Sequence, residues 1–113
     1  MVWSKYLYAD DSIIHKKEKI KWKILHNAGQ INMYVITLSQ NDANLLEIIS
    51  TIELMQKAYP KKEMFVVGIA RGYDNASELA CRIVMEVFEK TGGFRVKDYL
   101  LKKQYADCEQ VSL

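Results

Sequence analysis

Apolar and charged positions alternate with period two along Ile20-Lys-Trp-Lys-Ile-Leu25, so Ile20, Trp22 and Ile24 share one face while Lys19, Lys21 and Lys23 share the other. That pattern predicts a half-buried strand. His26 to Asn32 supplies the Asn and Gly of a turn, and Met33 to Leu38 follows as a β-branched and aromatic run, so the two runs read as an antiparallel hairpin. Asn41 and Asp42 offer capping side chains, and Leu45, Ile48, Ile49, Ile52, Met55 and Tyr59 recur at helical spacing up to Pro60, which predicts a helix. Lys61 and Lys62 then lead into Met64-Phe-Val-Val-Gly-Ile-Ala70, whose unbroken apolar character fits a strand buried on both faces, at or beside the centre of a sheet.

Asn75 and Glu78 have capping-box spacing, with Asp74 as a competing cap. Ala76, Leu79, Ala80, Ile83, Val84, Val87 and Phe88 form an apolar stripe that Thr91-Gly92-Gly93 closes. A brief extended piece over 94–96, a short helix and a polar tail over about 104–113 complete the chain. Residues 1–12, with Trp3, Tyr6 and Leu7, receive no assignment.

The predicted fold is a single α/β domain (an α+β sandwich) in the order β-β-α-β-α. Its mixed three- to four-stranded sheet carries two helices on one face. A strand-helix-strand connection between residues 33 and 70 implies a right-handed parallel crossover. The other face of the sheet is then partly open, and Trp3, Trp22, Tyr6, Tyr8 and Tyr34 are the candidates for a surface that association covers.

A chain of 113 residues fits one domain, and 50% hydrophobic content separates it from disordered sequences. No apolar run approaches the roughly 20 residues of a membrane span. The first residues lack an apolar leader segment, and Cys81 and Cys108 are too few and too poorly spaced for a disulfide framework, so a cytoplasmic protein with reduced thiols is expected. Net charge is only +2, yet Lys16, Lys17, Lys19, Lys21 and Lys23 face a single Glu18 within one short stretch.

His15 and His26 are the only histidines, and neither has partners at metal-ligand spacing. There is no Gly-x-Ser-x-Gly elbow, P-loop or dinucleotide fingerprint, so catalysis and cofactors are not indicated. The strand-to-helix turn after Gly68 is the candidate for a phosphate-bearing or other anionic ligand: Arg71, Gly72, Tyr73 and Asn75, together with the amides of a helix start, have the chemistry to hold one. The five lysines are a candidate nucleic-acid contact, but a strand would turn Trp22 away from them. The layout resembles that of many short bacterial proteins, a resemblance that carries no activity with it. The leading expectation is therefore a non-catalytic domain that associates with itself, as a dimer, or with another protein. Anion binding is the first alternative and nucleic-acid binding the second.

Overall fold

In the computed structural model, residues 1–26, 30–39, 45–56 and 64–111 are described, with side chains as far as Lys103. Four strands, β1 (Val2–Ala9), β2 (Met33–Leu38), β3 (Leu46–Ser50) and β4 (Phe65–Arg71), form one mixed sheet in the order β1-β4-β2-β3. Among the described residues, four helices accompany them: α1 (Lys17–Leu25), entered through a 3-10 turn at Ile14–Lys16, α2 (Thr51–Leu54), α3 (Tyr73–Thr91) and α4 (Val96–Val111). The α/β class and the mixed sheet are as the sequence predicts. β4 is an inner strand, with every residue from Phe65 to Ala70 buried.

Several elements differ from the expectation, each for a physical reason. Residues 20–25 are helical, because Ile20 and Ile24 stand four apart and both pack inward, at 4% and 7% exposure, while Trp22 between them is 59% exposed. Helix and alternating strand both place residues 20 and 24 on one side, and only residue 22 tells them apart. The predicted hairpin is thus absent, and β2 pairs instead with β3 and β4, antiparallel to both. The strand-helix-strand unit between residues 33 and 70 is therefore not a parallel crossover. The parallel pair is β1 with β4, and β1 is the N-terminal segment left unassigned from sequence.

The helix expected from Leu45 onward is a strand followed by one helical turn. Leu46, Ile48 and Ile49 are spread over both faces of a strand between two layers, and Ser50 caps α2 by accepting from Ile52 N at 3.2 Å. Ile52 and Met55, expected inside, are exposed at 55% and 42%. Asn41, Asp42, Tyr59, Pro60, Lys61 and Lys62 lie outside the described residues. No strand forms at 94–96, and α4 runs on through most of the stretch expected to be a polar tail. From residue 33 the order β-β-α-β-α is present, though not over the predicted residues.

Both faces of the sheet are covered. On one, Ile20 and Ile24 of α1 and Leu54 of α2 pack with Val35, Ile49, Val66 and Ile69. On the other, Ala76, Leu79, Ile83 and Val87 of α3, with Val96 and Leu100 of α4, meet Ile36, Val67 and Ala70. Two helices do share one face, but the second face is not open. Gly68 sits where layers close in, since a Cβ there would lie 3.4 Å from Tyr8 O and 3.5 Å from Leu79. Among the described residues, no helix is long and apolar enough to cross a membrane.

Candidate functional site

The parallel strands β1 and β4 send their following helices to opposite faces, α1 to one and α3 to the other. Ligands of open α/β sheets bind beyond the carboxyl ends of strands at such a divergence. Here the divergence is stitched shut by Asp10, which is 5% exposed. Its carboxylate accepts from Arg71 N at 2.6 Å and from Ser12 N at 2.8 Å, with the Ser12 hydroxyl as a third donor. Gly72 makes the turn at φ 86°, a value that favours glycine, and donates its N–H to Asn32 O at 2.7 Å.

The four residues expected at an anion site are dispersed around this turn. Asn75 donates to Arg71 O at 2.8 Å and lines a hollow of about 270 Å³ with Asp10, Asp11, Ser12, Glu78 and Arg82. Arg71 is exposed and lies outside that lining, as do Gly72 and Tyr73, whose ring is edge-on to Tyr34 at 5.8 Å. An anion entering the hollow meets three carboxylates and one guanidinium. The amides at the start of α3 have no side-chain cap, and Asp74 in the first turn compensates their partial charge.

Sequence reasoning missed a polar cluster that joins β1 to the second half of α3 and the first half of α4. Tyr8 donates its hydroxyl proton to Glu86, Tyr99 donates to the same carboxylate oxygen at 3.3 Å, and Lys103 donates to the Tyr8 oxygen at 3.2 Å. Lys103 also lies 5.1 Å from the Tyr6 ring centre and 5.2 Å from that of Tyr8. Burial, reinforced by the hydrogen bond to Glu86 and its negative charge, pushes the Tyr8 phenol well above its ordinary value. Tyr99 moves the same way, burial again being the main cause. With Tyr8 and Glu86 78 residues apart, no local pattern announces the cluster.

The third feature is apolar. Between β3 and α3 lies a hollow of about 410 Å³ bordered by Leu45, Leu46, Ala80, Cys81, Val84 and Met85. Leu45 is 43% and Met85 51% exposed. Further along α3, Phe88 stacks on Phe94 at 5.1 Å, and both rings are largely in contact with solvent.

The five lysines all fall on or beside α1. Lys17 donates to Leu7 O at 3.2 Å, and Lys21 lies 5.5 Å from the Trp3 ring centre, while Lys16, Lys19 and Lys23 are exposed or partly exposed. Among the described residues, no group of three or more His, Cys, Asp or Glu side chains is placed to hold a metal ion. No protein-family model, curated protein or solved structure matches the chain.

Proposed function

We propose that this chain is a non-catalytic association domain whose β3 edge and adjoining α3 surface pair with a second copy of itself. The observation that carries the reading is the regular, unbulged ladder at the outer edge of β3. Among the described residues no strand lies beyond it, and its pairing with β2 runs without a bulge through all five residues, Leu46 to Ser50. It carries no lysine or proline, the residues that commonly keep edges unpaired, and its one charged side chain, Glu47, is partly buried and accepts from the Ser39 hydroxyl at 3.1 Å.

A second β3 running antiparallel across a twofold axis would set Ile48 against its own counterpart and extend the sheet through both subunits. On the α3 side the same axis would bring the two hollows lined by Leu45, Val84 and Met85 together, withdrawing their apolar surface from water.

Light scattering over a wide concentration range tests this. The wild-type chain is expected to shift from monomer to dimer, and Met85→Glu and Leu45→Lys, both at exposed positions, are expected to remain monomeric with the melting temperature of the dilute, monomeric wild type. A wild-type chain that stays monomeric throughout, or a dimer indifferent to both substitutions, would sink the proposal.

A further inference from the structure

Residues 15–26 carry five lysines and one glutamate, a charge of +4 that leaves −2 for the rest of a chain whose total is +2. The helical form of this segment changes what it presents. A strand would bury Trp22 with Ile20 and Ile24, away from the lysines; α1 instead turns Trp22 outward, at 59% exposure, beside them. Lys19 and Lys23 stand one turn apart on α1 and bracket Trp22 in the sequence, and Lys16 closes the 3-10 turn that leads into the helix.

The indole is held in place. It stacks on the His26 imidazole with ring centres 4.1 Å apart and planes 26° from parallel, and His26 Nδ1–H donates to Trp22 O at 2.8 Å. An ordered aromatic face beside a row of cations is what single-stranded nucleic acid requires: a base stacks on the ring, and phosphates follow the positive row.

We propose that the outward face of α1 binds single-stranded nucleic acid, with a base on Trp22 and successive phosphates on Lys16, Lys19 and Lys23. Between Lys19 and Lys23 the helix rises by about 6 Å, close to the phosphate spacing of an extended single strand. Glu18, also on the exposed side, is the one carboxylate of α1 and opposes the interaction. The face lies on the opposite side of the sheet from α3, so it stands independently of association through β3.

The test is fluorescence anisotropy of a labelled oligothymidylate of about twelve nucleotides, titrated at several salt concentrations. Three phosphate contacts predict a log–log slope of about −2, and Trp22→Ala is expected to weaken binding by about 5- to 100-fold. Replacing Lys16, Lys19 and Lys23 together by Gln is expected to weaken binding and flatten the slope. Replacing exposed Lys90, Lys97 and Lys102 by Gln removes the same charge from other helices, and is expected to change affinity by no more than about 2-fold. Glu18→Gln tightens binding, and Met85→Glu leaves it unchanged, which separates this site from the β3 surface. Any one of four results overturns the proposal: no binding at about 50 mM salt, Trp22→Ala equal to wild type, equal losses in the two lysine triples, or tighter binding of a duplex of the same length.

Discussion

The two edges of the sheet are built on opposite principles. At β1 the ladder with β4 is broken in the middle: Trp3 faces Val66 and Tyr8 faces Gly68, so Ser4 to Leu7 stand against the single residue Val67. Backbone groups freed by that bulge find partners close by, as Ser4 Oγ accepts from Tyr6 N at 3.2 Å and Lys17 donates to Leu7 O. Polar side chains then tie the strand down at its carboxyl end, through Asp10 to Arg71 N and through Tyr8 to Glu86. At β3 the ladder is regular, and its side chains on the α3 side are the apolar Leu46 and Ile48. One edge is closed by the chain's own polar groups, while the other keeps the geometry that a partner strand needs. Burial alone does not separate them, since both edges hold partly buried apolar residues. What separates them is whether the backbone of the edge is still in register for pairing.

The largest expected effect comes from the strap at the closed edge. Asp10→Ala removes the acceptor of a part-buried main-chain N–H and of two groups from Ser12, and is expected to cost about 1–3 kcal/mol in urea unfolding. Asp10→Asn, which keeps one acceptor oxygen, is expected to recover part of that loss. Equal stability in wild type and Asp10→Ala would show that the β1 edge is held by its ladder alone.

Tyr8→Phe comes next. At neutral pH it loses a partly exposed hydrogen bond to a carboxylate, an expected cost of about 1 kcal/mol. The folded protein holds the Tyr8 proton more tightly than the unfolded chain does. The stabilisation from this bond is therefore fully present below the unfolded phenol's ordinary value of 10.0, and it is lost as pH rises above that value. The difference between wild type and Tyr8→Phe is accordingly expected to narrow in unfolding curves taken above that pH. A difference that stays constant through the alkaline range would mean that Tyr8 does not feel Glu86.

Legibility from sequence followed the same division. β4, β2 and α3 each carry a pattern that one local structure satisfies: an unbroken apolar run, a β-branched run, and a stripe closed by a glycine, although the capping box read at Asn75 and Glu78 is not formed and α3 starts at Gly72 without a side-chain cap. The segments at 20–25 and 45–52 do not. Ile20 and Ile24 suit a helix and a strand alike, and the dense apolar residues from Leu45 to Ile52 contain helical spacings by their number alone. In both segments the neighbours decided, α1 by covering β1's side of the sheet and β3 by pairing with β2. Of the candidate site, the lysines and the turn at Gly72 were legible. Asp10, Tyr8 and Glu86 were not, because their roles depend on partners 61 and 78 residues away. Trp22 falls on the buried side only if residues 20–25 form a strand, and the helix turns it out.

The smallest expected effect asks which part of the β1 edge keeps it closed. Lys5 is exposed within the bulged segment, and a charge there is one common way of preventing edge pairing. The bulge is the other, because a strand whose N–H and C=O groups fall out of register offers no continuous ladder whatever its side chains. Lys5→Val separates the two. If the bulge is sufficient, light scattering finds the same assembly state as in wild type, and Lys5→Val combined with Met85→Glu is monomeric. If the double variant still associates, charge was the guard at β1, and β3 is distinguished from it only by what its sequence lacks.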